Sequence, residues 1–283
     1  HSVQHAVAAR PLPTFSGASA TSSFVTASAP ARIDFGGGWS DTPPFCLDWG
    51  GTVFNLAVTL NGGNPIRTIV RQIPDPIVRF VSSDAVEVYH PAVAPAVGSP
   101  FAIHRAALAM LGFSPNAALE IRTEVDLPVG SGLGTSSILA ATVISALLAI
   151  QGKSVTNQEL ADLVLSLEQF MTTGGGWQDQ AGGIWPGAKL TTTGPGPGQR
   201  LRVEPVSCTD SFADHFLFYY TGIRRIARDL LAQVVGRYLA REVQTVQVLH
   251  SIKTLAVEMA YAMRESDWPY FGSLLDRHWQ LNQ

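Results

Sequence analysis

One stretch constrains this chain more than any other: Pro128-Val-Gly-Ser-Gly-Leu-Gly-Thr-Ser-Ser137, followed at once by the apolar run Ile138 to Ile150. Gly130, Gly132 and Gly134 stand at alternate positions, with Ser131 and Leu133 between them and Thr135, Ser136 and Ser137 behind. Glycine lets a backbone approach a bulky anion in conformations that other residues avoid. The start of a helix adds unpaired N–H groups and the positive end of its dipole. The combination describes a cradle for nucleotide phosphates; the alternative is a tight turn before a buried helix. No Lys follows the last glycine, so this is not a Walker loop, and the spacing is not a Rossmann fingerprint.

The 283 residues suggest one large domain or two ordinary ones. Hydrophobic residues make up 46% and charged residues 14%, enough for a sizeable core and against disorder. A formal net charge of −3 without a basic stripe argues against a nucleic-acid surface and for small-molecule partners. Cys46 and Cys208 have no metal-ligand spacing and suggest no disulfide framework, which fits a reducing, cytoplasmic setting. The apolar run at 138–150 is too short to span a membrane. Residues 1–23, rich in Ala, Ser and His, read as a flexible lead-in rather than a signal peptide.

Strand character is expected at 24–35, 51–60, 66–72, 76–82, 85–89 and 118–125. Asn61-Gly62-Gly63 suggests that 66–72 folds back on 51–60 as a hairpin. Helical spacing covers 101–111, with Gly112 as its stop. Thr156 and Glu159 form a capping box for a helix running through Leu160, Leu163, Val164, Leu167 and Glu168 to about Met171. A glycine cluster fills 174–183, and 191–199 is the clearest loop and a domain border. A strand at 215–220 and helices at 224–240, 242–264 and 267–281 follow. Strands mixed with helices, without regular alternation, indicate an α+β protein.

Glycine turns recur beside polar groups. Gly38-Trp39-Ser-Asp41 and Gly176-Trp177-Gln-Asp179 each pair an aromatic residue with a carboxylate, a combination that suits sugars: the ring packs on C–H groups and the carboxylate takes hydroxyl hydrogen bonds. Core packing is the alternative for either Trp, and an Asx-type turn cap for Asp41 before Thr-Pro-Pro. Glu168, near its helix end, and Asp179 on the following segment could face one pocket, as phosphoryl transfer requires; by spacing alone a solvated helix residue explains Glu168 better. Arg32 lies inside an apolar strand and wants an anion, or else snorkels to water. Facing Asp179, it would help keep that carboxylate ionised.

These motifs together resemble the GHMP small-molecule kinases. The 128–137 stretch is similar to their central motif, and Ala29-Pro-Ala-Arg-Ile-Asp-Phe-Gly-Gly-Gly-Trp-Ser-Asp41 to their N-terminal one. Gly37-Gly-Trp-Ser-Asp-Thr-Pro-Pro44, Thr172-Thr-Gly-Gly-Gly-Trp-Gln-Asp-Gln180 and Tyr219-Tyr-Thr-Gly-Ile-Arg-Arg225 resemble the L-fucokinase branch. The resemblance runs from about residue 24 to the end. It implies a two-lobed α+β fold, with an N-terminal domain over 24–192 and a partial C-terminal domain over 193–283. It implies ATP and Mg²⁺ as cofactors and the anomeric hydroxyl of L-fucose as acceptor.

By position, the resemblance makes Asp179 the base or hydroxyl-orienting carboxylate and sets Arg32 beside it. Gly130 to Ser137 would wrap the nucleotide phosphates, and Ser136 and Glu168 would hold the metal. Asp41 would bind sugar hydroxyls, with Gly38, Trp39, Gly176 and Trp177 shaping the pocket, and Arg225 would touch phosphate. The family's third glycine-rich motif does not follow Tyr220, so a second lobe lacking strands, with an exposed sheet edge, is expected. Some fucokinase-like chains also carry a nucleotidyltransferase domain upstream, for which residues 1–23 could be a linker. A manno-heptose phosphate kinase of the same superfamily and a catalytically silent sugar sensor are the competing functions.

Overall fold

The computed structural model describes residues 16–17, 22–91, 99–128, 130–171, 173–209, 211–222 and 227–282. The 1–23 segment expected as a lead-in lies largely outside them; Ser16–Gly17 pairs with Lys153–Ser154. Two compact units share the chain. The first comprises 1–31, 59–128 and 135–173, the second 32–58, 129–134 and 174–283.

The first unit is built on a five-stranded sheet in the order Phe24–Ala29, Ile66–Gln72, Leu119–Val125, Val78–Val81, Val86–Val88. All its pairs are antiparallel except that between Val78–Val81 and Leu119–Val125. Alternation explains the central strands. Ile66, Thr68 and Val70 are buried while Arg67 and Arg71 point out. On the open face Glu120 gathers Arg71 at 2.8 Å and Arg79 at 3.3 Å. The helix Thr135–Ile150 is apolar almost all round and correspondingly buried, from Ile138 through Val143 and Ile144 to Leu147. It packs on the sheet, where Thr68 and Thr142 share a hydroxyl hydrogen bond of 2.8 Å, and against the helices Ala102–Met110 and Asn157–Phe170.

The capping box forms as its sequence dictates. Thr156 Oγ1 accepts the Glu159 N–H, and Glu159 reaches back to the Thr156 N–H at 2.7 Å. Gly112, in a left-handed conformation, follows the helix Ala102–Met110. The expected hairpin does not form. Only a bridge between Leu60 and Gly63 closes the turn, and Thr52–Val58 and Ile66–Gln72 then enter different sheets. Ile66–Gln72 instead fills the middle of the first sheet, where its buried face meets the apolar helix.

The second unit carries a four-stranded sheet in the order Arg202–Val206, Ala188–Thr192, Thr52–Val58, Ala31–Gly36. One face is apolar. Phe35, Phe54, Leu190 and Val206 pack against Met259, Phe271 and Leu274 of the helices Val243–Glu265 and Trp268–Leu281. Phe35 meets Phe54 at 5.6 Å and Phe271 at 5.2 Å between ring centroids. The two-residue period of a strand sends Arg32, Asp34, Val53, Asn55, Lys189 and Thr191 to the opposite face. There Val53 packs with Trp177 and Ala181, at the start and middle of the short helix Gln178–Ile184.

Two further expectations change. The strand expected at 215–220 is absent: Phe212–His215 is a helical turn and no strand follows it through residue 222. Phe212 and Phe216 turn in to Phe35 and Trp268, while Leu217 and Tyr219 remain 92% and 79% exposed. A strand needs a partner ladder, and none reaches this segment among the described residues. The glycine cluster holds most of the helix Gln178–Ile184, and the paired strands Ala188–Thr192 and Arg202–Val206, which no sequence signal marked, flank the expected 191–199 loop. No helix among the described residues is long and apolar enough to cross a membrane.

Candidate active site

The second unit brings the N-terminal motif, the end of the glycine loop and the 176–179 motif together. Arg32 leaves the sheet and meets Asp179 in the first turn of the helix Gln178–Ile184. Its Nε donates to Asp179 Oδ1 at 3.0 Å and a terminal guanidinium nitrogen donates to the same oxygen. Arg32 is 8% exposed, so its end of the ion pair is shielded from water, while Asp179 stays partly open. Burial works against the guanidinium's charge. Asp179, Asp34 and Asp41 outweigh it, and the pKa is raised above an arginine's ordinary value.

The glycine loop is tied to the same place. The Arg32 N–H donates to the Leu133 carbonyl at 3.3 Å. Gly134 has φ +74°, and a Cβ there would lie 3.0 Å from Arg32 Cγ and 3.4 Å from Asp179 Cβ. A side chain at 134 would therefore be strained and would press on the ion pair. Gly130 and Gly132 also have positive φ, of 75° and 76°. Among the described residues, none of the N–H groups of residues 130–134 has a protein partner. Ser131 Oγ and Thr135 Oγ1 are closed to solvent and likewise unpartnered. Unpaired donors at a helix entry are what an anion requires.

Asp41 is wholly buried. Its Oδ2 accepts the Gln178 N–H at 2.9 Å, and its Oδ1 has no partner among the described residues. The contact is remote rather than a local turn cap. A Cβ at Gly176 would stand 2.1 Å from Asp41 Oδ2, so only glycine allows this approach. Burial, weakened by the Gln178 hydrogen bond, pushes the Asp41 carboxyl up to about 7. Trp177 is 2% exposed and packed into the apolar cluster with Val53 and Ala181. Trp39, with φ 76°, packs beside Phe45, Tyr238 and Leu249.

Three residues that motif matching leaves unassigned also belong here. Asp34 lies two positions beyond Arg32 on the same strand face. Burial pushes its carboxyl up to about 7 against the pull of Arg32, and its Oδ1 is unpartnered. Asn55 donates to the Gln178 carbonyl at 3.3 Å, so Gln178 is held at its N–H by Asp41 and at its C=O by Asn55. Lys189, directly across the ladder from Asn55, is 1% exposed and donates to the Gly187 carbonyl at 2.9 Å. Burial brings its pKa down to about 7. Strand alternation from Arg32 signals Asp34; Asn55 and Lys189 look like ordinary strand residues in the sequence.

In the first unit Ser137 Oγ donates to Glu168 Oε1, and Ser136, one position earlier on the helix, is exposed. Among the described residues no group of three or more His, Cys, Asp or Glu side chains could hold a metal by itself. One carboxylate and neighbouring hydroxyls suit Mg²⁺, which takes few protein ligands and keeps phosphate and water oxygens. Arg225 lies outside the described residues.

A glycine-rich helix entry beside an Arg–Asp pair suits phosphoryl transfer to a small molecule. Residues 101–187 match the GHMP kinases N-terminal domain, which assigns that segment to the GHMP kinases. It is 38% identical over 269 residues to a bifunctional fucokinase/GDP-fucose pyrophosphorylase of Arabidopsis thaliana, covering 90% of this chain and 25% of that protein. It is 36% identical over 282 residues to an L-fucokinase/L-fucose-1-P guanylyltransferase of Bacteroides fragilis, covering 90% of this chain and 30% of the other. The chain thus spans less than a third of these relatives. Among solved structures, a D-glycero-D-manno-heptose 1-phosphate kinase of Bacteroides thetaiotaomicron superposes with a TM-score of 0.70 at 18% identity, covering 90% of this chain and 78% of that one. That likeness shows the fold.

Proposed function

We propose that this chain is the kinase portion of an ATP-dependent sugar kinase that transfers the γ-phosphoryl group to the anomeric hydroxyl of L-fucose, giving L-fucose 1-phosphate and ADP. The observation that carries this reading is the Arg32–Asp179 pair lying against Gly134, the last residue of the glycine loop. Identity to the two fucokinase relatives supports the choice of sugar.

Residues 130–137 bind the phosphates through backbone N–H groups and hydroxyls. Glu168, with the hydroxyls of Ser136 and Ser137, would hold Mg²⁺, which would supply charge neutralisation on the phosphates. Asp179 orients the attacking hydroxyl and takes its proton as the new P–O bond forms. An anomeric hydroxyl is more acidic than an ordinary alcohol, so an ionised carboxylate suffices as acceptor. Arg32, with two guanidinium nitrogens on one Asp179 oxygen, fixes the orientation of that carboxylate. Asp41 binds sugar hydroxyls and, through Gln178, steadies the turn that presents Asp179. Gly38, Trp39, Gly176 and Trp177 fix the walls by close backbone approach and packing. The chain's division into an N-terminal domain ending near residue 192 and a second domain beyond it belongs to the same proposal, as does a nucleotidyltransferase partner domain in a longer parent chain.

The test is ADP release with ATP, Mg²⁺ and a panel of L-fucose, other free hexoses and manno-heptose phosphates, with the product's phosphate position read by NMR. Turnover with L-fucose and a 1-phosphate product supports the reading. Turnover with heptose phosphates alone would replace it with the second one, which a 27% identical D-glycero-alpha-D-manno-heptose 7-phosphate kinase of Campylobacter jejuni favours. Calorimetric binding of sugar and nucleotide without ADP would identify a sensor.

A further inference from the structure

Asp34 has no part in the mechanism above, yet it stands among the site's charged groups. Asp34 Oδ1, Asp41 Oδ1 and Gln178 Oε1 are closed to solvent and unpartnered among the described residues. They are neighbours. A methyl group built on Gly38 would lie 2.8 Å from Asp34 Oδ2 and 3.0 Å from Gln178 Oε1, so both side chains close on the bare Cα of Gly38. Gln178 in turn donates its N–H to Asp41. Acceptors left without donors in a buried place are rare, and a set of three calls for donors that arrive with a ligand.

We infer that Asp34, together with the Gln178 side-chain amide and Asp41, reads adjacent hydroxyl groups of the acceptor sugar, with Asp34 as a specificity-determining contact. This rests on the sugar-kinase reading. The chemistry matches: each sugar hydroxyl both gives and takes a hydrogen bond, and a protonated carboxyl does the same while an ionised one only accepts. Asp34 and Asp41, both raised to about 7, each feel the charges of Arg32 and Asp179, and Asp34 also that of Asp41. Near neutrality one can be an acid and the other a carboxylate, which complements a vicinal diol. A divalent cation would need both ionised, and the Arg32 guanidinium beside them disfavours it.

The experiment is calorimetric titration of the whole chain with L-fucose, with its 2-, 3- and 4-deoxy analogues, with ATP and with MgCl₂ alone. It is repeated on Asp34→Ala and on the near-isosteric Asp34→Asn. The parent chain is expected to bind one deoxy analogue about tenfold more weakly than L-fucose. Asp34→Ala loses about tenfold in L-fucose affinity, no longer distinguishes that analogue, and keeps its affinity for ATP. Should the Ala variant melt below the assay temperature, the Asn variant is read the same way and shows an altered ranking of the analogues. An unchanged ranking in the folded variants overturns the assignment and leaves the kinase reading standing. Tight Mg²⁺ binding abolished by Asp34→Asn also overturns it. No binding of any sugar by the parent chain overturns both.

Discussion

Asp41 accepts the backbone N–H of Gln178 at 2.9 Å, one residue before Asp179. The sugar-reading carboxylate of the proposal is therefore also a strut of the helix turn that carries the catalytic one. Asp41→Ala leaves that N–H unpaired in a buried place, a penalty of about 1–3 kcal/mol. It is expected to lower kcat as well as raise the sugar KM, whereas loss of a simple binding contact would act on KM alone. Steady-state kinetics on the variant separate the two.

Asp179→Ala removes the group to which the proposed mechanism assigns orientation of the acceptor hydroxyl. Turnover is expected to fall by about a hundred- to ten-thousand-fold, with nucleotide binding retained. ADP release and calorimetry on the same preparation check both halves; near-normal turnover would take Asp179 out of the mechanism.

Arg32→Lys tests geometry at constant charge. Two guanidinium nitrogens reach one oxygen of Asp179, and a lysine presents a single ammonium. The variant is expected to fold, to lose about tenfold or more in kcat, and to keep its affinity for ATP. A kcat equal to the parent's would show that Arg32 does not position Asp179.

The buried acids impose a pH trend on stability. Asp34 and Asp41 have folded pKa values near 7, above those of the unfolded chain, so their contribution favours the fold at acid pH and is lost as pH rises through about 7. Lys189, depressed to about 7, works the other way: its contribution is present above the usual lysine range and lost as pH falls through about 7. His104, pushed down to about 4 by burial, favours the fold above the usual histidine range and loses that contribution toward pH 4. The difference between the parent and Asp34→Asn isolates one group. The variant's melting temperature should gain on the parent's between pH 5 and pH 8; a constant offset would contradict the raised pKa.

Thr156→Ala serves as the control. It removes the cap of the helix Asn157–Phe170 and is expected to cost about 1 kcal/mol of stability. Sugar and nucleotide affinities should stay unchanged below the melting transition.

Local signals in the sequence proved readable where the interaction is itself local. Thr156 and Glu159 cap one another within a single turn, and Gly112 follows its helix. The loop 130–137 was legible as a helix entry because its glycines need backbone conformations that few other residues take. Asn61-Gly62-Gly63 misled because a turn motif specifies the turn and not the partner; Ile66–Gln72 pairs according to which sheet can bury its face. The helix Gln178–Ile184 was hidden by Gly182, where a Cβ would come within 2.7 Å of Arg32 Cβ. That glycine records closeness to Arg32 rather than a break in the helix. Ala188–Thr192 was masked by Lys189, a charged residue that the strand buries. Asp34 was within reach, two residues from Arg32, but the side-chain alternation had to be followed past the matched arginine.

Leu217, Phe218, Tyr219 and Tyr220 stand 92%, 60%, 79% and 41% exposed in one short run. Bare aromatic surface of this kind adheres to itself and to hydrophobic matrices. Anyone purifying this chain should meet it first as a handling problem: concentration-dependent light scattering, retarded elution and relief by mild detergent, all of which polar replacements at 217–219 should abate.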